Sequence, residues 1–383
     1  MLLRKISLIV CLFFMMLSTP HALPKQAQLD LYKLQLRTAL KNQDCNLALD
    51  LMKKIELKQN DIPSSLQFFK GKCYYQNKNW SDAAKSFEIY IERIGRKGRL
   101  YKRALNMYVD TQKNIDELKD IHNSIGRYVL IPSSQTRKIK SFRLGEHEIT
   151  KGAFAIFVND TGYTTDAEND FCWALNGKKQ MRVSGASWRN PGFEQNDNEP
   201  VVCVSWKDVH EYIKWLNEKS SKTYRLPTER EWDFVAYDNY LNDYIAGSTT
   251  ICEYGNGNDL SLEKFTGWDA RNNCNDGYKF TAPVKSYKSN IHKIYNMNGN
   301  VSEYMEDCSP GDCSKRRIRG GSFLGSISPG YQDDMPLTTI ATMFFGFRLV
   351  QEVELQDEAL FEAENKAQRE INKRKVLFKN IYK

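Results

Sequence analysis

Apolar residues recur at helical spacing along the first third of the chain. They stand mostly two to four positions apart, at Leu29, Leu31, Leu34, Leu36 and Leu40, and then at Leu47, Ala48, Leu51, Met52 and Ile55. This spacing is typical of amphipathic helices. A break follows at residues 61–63, and Pro63 with Ser64 suits the start of the next helix. The pattern predicts an all-α domain over residues 23–120.

Small residues in this helical region have a spacing that resembles tetratricopeptide helix pairs. Gly71 and Ala83 would lie where two helices cross, because small side chains allow a close approach there. Ala48 precedes Ala83 by 35 positions, close to the repeat length of about 34 residues. Only degenerate units are visible, so an irregular helical bundle remains the alternative.

The pattern changes after residue 121. Residues 128–132 predict a strand that enters a new domain, and aromatic residues, Gly and Asn become frequent beyond it. One predicted helix starts at Thr150 and buries Phe154 and Phe157, and another begins near Trp206. Short strands and long loops are expected for the rest, which favours an α+β domain over residues 126–351. Long loops in a compact domain need disulfides or bound cations to fix them.

Charge separates along the last segment, residues 352–383. Its first half is acidic and its second half basic, an order that suits a helix dipole. We expect a charged helix that packs back on one of the domains, and a membrane-surface or partner-binding role for the basic half is the alternative. The charged positions that show this order include Glu352, Glu354, Asp357, Glu358, Glu362 and Glu364, followed by Lys366, Arg369, Lys373, Arg374, Lys375 and Lys379.

The N-terminus predicts export. Arg4 and Lys5 precede an apolar run over residues 6–17, and small or turn-forming residues follow at 18–20. This arrangement is typical of a secretory signal over residues 1–22, and the run is too short to cross a bilayer comfortably. An uncleaved anchor is the alternative, because Pro20 is unfavourable near the cleavage site. The protein is expected in the periplasm or outside the cell, with no transmembrane segment after signal removal.

Export changes the interpretation of the cysteines. Removing the signal takes away Cys11 and leaves an even number, which favours disulfides in an oxidising compartment. Eight cysteines allow 105 pairings, and pairing in sequence order is the most economical because each bridge closes a local loop. No CxxC motif is present. The candidates are Cys45, Cys73, Cys172, Cys203, Cys252, Cys274, Cys308 and Cys313.

Charge and length narrow the function further. The net charge of +8 falls to +6 without the signal, and the excess is spread along the chain. A nucleic-acid partner is therefore not expected. The length of 383 residues favours two domains. The histidines have no spacing of three or four residues that would form a ligand pair on a helix; they are His21, His122, His147, His210 and His292.

Four segments together identify the larger domain. They are RLPTEREW at 225–232, NMNGNVSEY at 296–304, RGGSF at 319–323 and GFR at 346–348. Within the first, Thr228 and Glu231 form a capping box at a helix start. The combination resembles the formylglycine-generating enzyme or sulfatase-modifying-factor family, and residues 188–193 and 200–206 resemble its exported bacterial branch. The resemblance implies a fold related to C-type lectins over residues 126–351, preceded by the all-α domain.

The resemblance also implies structural Ca²⁺. The family binds this ion through hard oxygen ligands on closely spaced loop positions, as Ca²⁺ requires. If the resemblance does not extend to metal binding, these Asn and Asp residues would only cap turns. One set is Asn256, Asp276 and the carbonyls of Gly257 and Tyr278, and the other is Asn296, Glu303 and the carbonyls of Gly299 and Val301.

The family's copper chemistry is not expected here. Its aerobic enzymes carry two cysteines after a Gly-Gly-Ser segment, and these bind copper and engage the substrate thiol. Ser322 matches that serine, but the cysteine positions are Gly325 and Gly330. Glycine has no ligand atom, whereas Cu(I) needs soft sulfur. Basic residues usual in the family are also replaced, by Gln332, Asp333 and Asp334.

Export, the family resemblance and the missing cysteine pair together leave two candidate functions. The favoured one is a non-catalytic binding or scaffold module of the cell envelope that presents residues 323–345 to an envelope or secreted protein, a peptide or a glycan. The alternative is an oxidoreductase or maturation enzyme of the formylglycine-generating type that uses other active-site residues. Asp333 and Asp334 could do acid–base chemistry, but an exposed loop pair is the preferred interpretation.

Overall fold

The computed structural model describes residues 23–237, 251–325, 332–336 and 338–353. The predicted signal, Gly330 and the charged segment from residue 354 onward lie outside the described residues. The chain divides into two compact units, with the boundary between Glu117 and Leu118.

The first unit is entirely helical. Its helices are α1 (Lys25–Lys41), α2 (Cys45–Gln59), α3 (Ser64–Gln76), α4 (Trp80–Ile94) and α5 (Tyr101–Ile125), the last of which continues past the unit boundary. The prediction of helices over residues 26–120 is confirmed. The likeness to tetratricopeptide repeats stays a prediction.

Local sequence explains where these helices begin and how closely they pack. The side chain of Asp44 caps α2 by accepting a hydrogen bond from the Leu47 N–H at 3.0 Å, and Pro63 precedes α3. Gly71 faces Phe87 so closely that an added Cβ would lie 2.8 Å from the ring. A larger residue at position 71 would therefore separate the two helices that carry these side chains.

The second unit mixes helices and strands. Its helices are α6 (Lys151–Thr161), α7 (Asp166–Asn169), α8 (Trp206–Lys219), α9 (Glu229–Tyr237) and α10 (Leu260–Thr266). Its strands are β1 (Tyr128–Ile131), β2 (Phe142–Gly145), β3 (Cys172–Asn176), β4 (Lys179–Val183), β5 (Tyr224–Arg225), β6 (Ser302–Ser309), β7 (Asp312–Arg319), β8 (Gln332–Pro336), β9 (Ala341–Thr342), β10 (Phe345–Gly346) and β11 (Val350–Gln351). This arrangement confirms the predicted α+β class.

Three small sheets organise the described strands. The first has the order β1-β2-β11-β5, the second β10-β6-β7-β8, and the third β4-β3-β9. In the second sheet, β10 pairs in parallel with β6, and β6 and β7 form an antiparallel hairpin. The strands near the end of the domain thus join strands that lie far earlier in the chain.

Aromatic side chains of α6 and α8 form the core beside these sheets. Phe154 and Phe157 contact Tyr212, with ring centroids 5.7 Å and 5.6 Å apart, and all three are buried. Each fully buried side chain of this size contributes about 1.5–3 kcal/mol. Ser205 and Asp208 form a reciprocal capping box that fixes the start of α8.

Two expectations about local structure are corrected. The strands β6 and β7, which carry Cys308 and Cys313, have eight residues each and are longer than the short strands anticipated. Asp333 and Asp334 belong to β8, where their backbones pair with Ile318 and Arg317, and so they are not part of a loop. The physical reason is that β7 offers a free antiparallel edge, on which these residues extend the sheet.

All eight cysteines of the described part form disulfides. The pairs follow sequence order, as predicted, and are Cys45–Cys73, Cys172–Cys203, Cys252–Cys274 and Cys308–Cys313. Within the part of the chain that the structure describes, no helix is both long enough and apolar enough to cross a bilayer.

Candidate functional site

The two loops predicted to bind calcium meet in the second unit. A parallel bridge joins Asn256 to Gly299, and the Asn300 N–H donates to the Asn256 carbonyl at 2.7 Å. Gly299 has φ +76°, and a Cβ there would lie 1.9 Å from the Asn256 carbonyl oxygen. Only glycine permits both this backbone conformation and this approach. The close contact therefore brings together two loops that lie 43 residues apart in the sequence, from Asn256 to Gly299.

The first loop gathers backbone donors around Asp276. Its carboxylate accepts hydrogen bonds from the Gly257 N–H at 3.0 Å and the Tyr278 N–H at 2.9 Å. The Asp276 N–H donates in turn to the carboxylate of Asp259 at 2.5 Å. Three of the predicted site residues, Gly257, Asp276 and Tyr278, are thus held together. The fourth, Asn256, directly precedes Gly257.

The first loop contains a second carboxylate, that of Asp259, which was not among the predicted ligands. Oxygens of Asp259 and Asp276 and the sulfur of Cys252 all lie within 4.8 Å of one another. The sulfur is bonded to Cys274, so it is not a thiolate ligand. Burial, reinforced by the neighbouring Asp259 carboxylate, raises the pKa of Asp276 to about 7. Two such carboxylates repel each other unless a proton or a cation lies between them.

The second loop is organised by Glu148, which is fully buried. Its two carboxylate oxygens accept hydrogen bonds from the side-chain amides of Asn296 and Asn300, each at 3.0 Å. Both asparagines have left-handed backbone conformations, with φ +55° and +63°. Burial raises the pKa of Glu148 to about 7.

Glu303, predicted as a calcium ligand, has a protein partner in this structure. Its carboxylate accepts two hydrogen bonds from the guanidinium of Arg348, at 2.6 Å and 2.7 Å, and one from the Trp232 indole at 2.8 Å. Glu303 and Arg348 are both fully buried. This bidentate ion pair connects three of the four segments that identified the family, because Trp232, Glu303 and Arg348 each come from a different one.

Unpartnered oxygens test whether these loops suit a hard cation. Five buried side-chain amide oxygens have no hydrogen-bond partner among the described residues. One belongs to Gln195, outside these loops, and the other four belong to Asn256, Asn258, Asn296 and Asn298. A buried acceptor without a partner is costly, whereas Ca²⁺ binds such oxygens together with carboxylates. Two of the four, on Asn256 and Asn296, are predicted ligands. The donor set of the first loop therefore fits Ca²⁺. In the second set Asn296 offers an unpartnered amide oxygen, whereas the Glu303 carboxylate is already held by Arg348.

The segment at the family's first copper position is tied to these loops. The Gly325 carbonyl accepts a hydrogen bond from the Asn258 N–H at 2.7 Å, and the Asn300 carbonyl accepts one from the Phe323 N–H at 3.0 Å. A Cβ on Gly325 would make only ordinary contacts, 3.6 Å from the Ser322 carbonyl oxygen and 3.8 Å from its nitrogen. A cysteine could therefore begin at position 325, but glycine presents no sulfur there.

Aromatic side chains adjoin the same segment. Phe193 and Phe280 stack with ring centroids 4.4 Å apart, and both contact Phe323, at 6.1 Å and 5.9 Å. Phe193, Phe280 and Leu324 are half-buried, whereas Phe323 is buried. We call Phe193, Phe280, Phe323 and Leu324 the aromatic face.

The described histidines are not brought together as a metal site. His147 is buried with Nδ1 2.7 Å from the Glu148 carbonyl oxygen, His122 approaches the Tyr224 hydroxyl, and His210 stacks on Trp206. Glu148 and Asp259 were not among the site residues predicted from the sequence. A local signal existed for Asp259, which follows Asn256 by three residues, whereas the place of Glu148 two residues before the cap Thr150 indicates only a helix start.

Comparison with known proteins gives a family match over the second unit. The domain described as "Sulfatase-modifying factor enzyme 1-like domain" matches residues 107–353. A formylglycine-generating enzyme of Streptomyces coelicolor is 32% identical over 230 residues, which are 69% of that protein and 49% of this chain. A formylglycine-generating enzyme of Thermomonospora curvata is 30% identical over 244 residues, covering 73% of it and 50% of this chain.

Two further comparisons give lower identity. The protein named "Inactive C-alpha-formylglycine-generating enzyme 2" of Bos taurus is 27% identical over 231 residues, which are 71% of it and 52% of this chain. Among solved structures, that of PvdO from Pseudomonas aeruginosa aligns with a TM-score of 0.46 and 21% identity, covering 91% of that chain and 59% of this one.

Proposed function

This chain belongs to the sulfatase-modifying factor enzyme 1-like family, and we propose that it is an exported, calcium-stabilised binding module without the family's copper oxidase activity. Gly325 carries the proposal, because the residue at the first copper position has no sulfur. The disulfides support it further, since every described cysteine is already paired.

Calcium would act here as a structural ion. Asn256 and Asp276, with the Gly257 and Tyr278 carbonyls, would hold one ion, and Asp259 adds a second carboxylate beside them. Asn296, Gly299 and Val301 would contribute to the other ion, with Glu303 shared with Arg348. The cation would supply positive charge to buried carboxylates and partners to orphaned amide oxygens. The hydrogen bonds from Asn258 to Gly325 and from Phe323 to Asn300 would then fix the aromatic face.

A copper experiment tests the loss of catalysis. The purified full chain is titrated with Cu(I) beside a Gly325→Cys/Gly330→Cys variant, with a cysteine-containing sulfatase peptide as substrate. We expect no tight copper binding and no aldehyde product from the natural chain, and copper binding by the variant. Stoichiometric copper or aldehyde formation by the natural chain would overturn the proposal in favour of a maturation enzyme.

A paired substitution tests the binding role of the aromatic face. Leu324→Asp introduces a charge into the half-buried face, whereas Met181→Asp changes an exposed residue on β4. We expect crosslinking to an envelope protein, peptide or glycan in the native envelope to be lost in Leu324→Asp alone. Circular dichroism and melting curves show whether both variants remain folded. Equal crosslinking by the two folded variants would contradict a ligand site on this face.

A further inference from the structure

The disulfide between Cys308 and Cys313 differs from the other three in its place in the fold. It joins positions only 5 residues apart across the β6–β7 hairpin, whereas the other separations are 22, 28 and 31 residues. A shorter loop gives a smaller gain in chain entropy on crosslinking. Backbone pairing already joins β6 to β7 without the bridge. This disulfide therefore contributes least to holding the fold.

The Cys308–Cys313 disulfide also differs from the other three in its exposure to solvent. Cys313 is exposed and Cys308 is half-buried, while Cys172 and Cys203 are both fully buried. Among the eight described cysteines, Cys313 alone is exposed. A thiol in solution can consequently reach the sulfur of Cys313 without unfolding the domain.

The two sulfurs also lie in different electrostatic environments. The Arg316 guanidinium approaches the Cys308 sulfur, with Nη1 at 3.4 Å, and the same nitrogen donates to the Glu306 carbonyl at 3.2 Å. The guanidinium lies over the Trp206 ring at 3.9 Å, which fixes its position. A neighbouring cation stabilises a thiolate. Cys313 instead follows Asp312, whose carboxylate is paired with Lys315 at 3.8 Å.

From this geometry we infer that Cys308–Cys313 is a redox-active disulfide that oxidises dithiols of exported proteins or peptides. A substrate thiolate attacks the exposed Cys313 sulfur, the Cys308–Cys313 bond breaks, and its electron pair leaves on Cys308 beside Arg316. The second substrate thiolate then attacks the substrate sulfur of the mixed disulfide and expels Cys313. The substrate gains a disulfide, this chain gains two electrons, and the two substrate thiol protons are taken up by Cys308 and Cys313.

The reduced Cys308 and Cys313 must be reoxidised before the next turnover. A disulfide-class oxidant, such as oxidised glutathione, exchanges with the reduced pair and takes the two electrons away. The activity goes beyond the proposed binding role, because it uses neither the calcium loops nor position 325.

The first test compares the four disulfides within the intact folded protein. The full chain is equilibrated in graded mixtures of reduced and oxidised glutathione, quenched with acid and alkylated, and each cysteine pair is quantified by mass spectrometry. We expect Cys308–Cys313 to be half-reduced at a reducing ratio at least about tenfold lower than the other pairs require. Reduction of all four pairs at the same ratio would overturn the inference.

The second test isolates the role of Arg316. In the protein reduced only at this pair, alkylation rates against pH give the thiol pKa of Cys308, which we expect about one unit below that of Cys313. Arg316→Met should abolish the difference and slow the first exchange step several-fold, and Arg316→Lys should retain part of it. Arg182→Met, which removes a guanidinium that lies over the Trp173 ring away from this hairpin, serves as the matched control. A purely structural arginine would change the melting temperature and leave the thiol pKa of Cys308 unaltered.

The third test measures turnover. A dithiol peptide is mixed with the oxidised full chain, and one peptide disulfide should form for each Cys308–Cys313 pair reduced. The Cys308→Ser/Cys313→Ser variant should form none, while its circular dichroism matches that of the parent. Equal peptide oxidation by that folded variant would show that the pair is not the oxidant.

Discussion

At the scale of single residues, Gly299 sets how closely the two candidate calcium loops approach. An added Cβ would overlap the Asn256 carbonyl oxygen, and the positive φ adds strain for any other residue. We expect Gly299→Ala to lower the free energy of unfolding by more than about 3 kcal/mol, measured by urea titration.

Gly177 provides the control for that substitution. It also has a positive φ, +63°, but nothing lies within 4 Å of an added Cβ. Gly177→Ala should therefore cost only the backbone strain, about 1 kcal/mol. A similar loss in both variants would mean that the close approach at Gly299 has no energetic importance.

Arg348 is a second residue whose removal should be costly. Arg348→Met leaves the buried Glu303 carboxylate without its bidentate partner, and breaking a buried pair on one side costs about 3–5 kcal/mol. The double variant Arg348→Met/Glu303→Gln should recover part of this loss, because the unpaired charge is then gone. Lys54→Met, which removes one member of an exposed pair with Asp50, should change stability by less than about 0.5 kcal/mol.

His147 predicts a component of acid sensitivity. Burial lowers the pKa of His147, although its Nδ1 bond to the Glu148 carbonyl and the nearby Glu146 act in the opposite direction, and Lys285 and Arg348 reinforce the lowering. Below about pH 6.5 the unfolded chain binds a proton that the folded chain does not. The stability that His147 contributes is therefore present above this pH, begins to be lost below it, and is fully lost once the pH has fallen through the lowered pKa of the folded state.

The variant His147→Asn should reveal this component. Asparagine keeps a side-chain N–H donor without titrating, so between pH 7 and 5 its unfolding free energy should fall less than that of the parent, by about 1 kcal/mol. Glu148 contributes in both proteins and cancels in the comparison. His292→Asn is the control, and equal pH dependence in the parent and His147→Asn would refute the assignment.

Residue-level chemistry was only partly predictable from the sequence. Asn256, Asp276 and Asn296 could be predicted because their spacing in loops resembles that of the family. Glu148 could not, since it lies 148 positions from its partner Asn296 and its own neighbours indicate only a helix start. The Glu303–Arg348 pair likewise depends on the tertiary fold, because nothing local in either segment indicates the other.

At the scale of elements, the Cys252–Cys274 disulfide holds the two halves of the first calcium loop. It encloses Asn256 and Asp259 and ends two residues before Asp276. Cys252→Ala/Cys274→Ala should lower the unfolding free energy by about 3 kcal/mol from chain entropy. It should also reduce the stabilisation gained from added Ca²⁺, measured as the change in melting temperature.

Cys172→Ala/Cys203→Ala is the comparison for this prediction. Its loop is of similar length, with a separation of 31 residues, but it encloses none of the candidate ligands. We expect a comparable loss of stability with the calcium increment retained. A calcium increment that is unchanged in the Cys252 and Cys274 variant would separate this disulfide from metal binding.

Elements with strong local signals could be predicted from the sequence, and those made by distant pairing could not. The capping residues Thr228 and Glu231 and the apolar spacing after Trp206 indicated α9 and α8 directly. The β6–β7 hairpin was missed because β6 is buried at its first four positions in succession and shows no alternation. Pairing of β10 with β6 depends on residues more than 40 positions apart, and so it required the whole fold.

At the scale of the whole molecule, the second unit has the contacts that hold the two candidate calcium loops and the segment around position 325 together. Position 325 itself lacks the cysteine sulfur that the family's copper chemistry needs. The ion pair of Glu303 with Arg348, the contact of Asn256 with Gly299, and the bond from Asn258 to Gly325 all support one surface. Buried polar groups of this kind can specify a structure. The proposed binding role therefore depends on the missing sulfur at position 325 and not on these contacts.

Calcium removal tests this picture across the molecule. Chelation should leave the carboxylates of Asp259 and Asp276 without a cation and the amide oxygens of Asn256 and Asn296 without partners, so both loops should open more often. Hydrogen exchange of the full chain, with EDTA and with added Ca²⁺, should show faster exchange over residues 256–303 and 322–325 after chelation. Exchange in α2 and α3 should stay the same, since neither helix carries a candidate ligand.

Mg²⁺ in place of Ca²⁺ should restore protection poorly, because it requires a tighter octahedral ligand set. Identical exchange over 256–303 in both conditions would exclude a structural calcium ion at these loops.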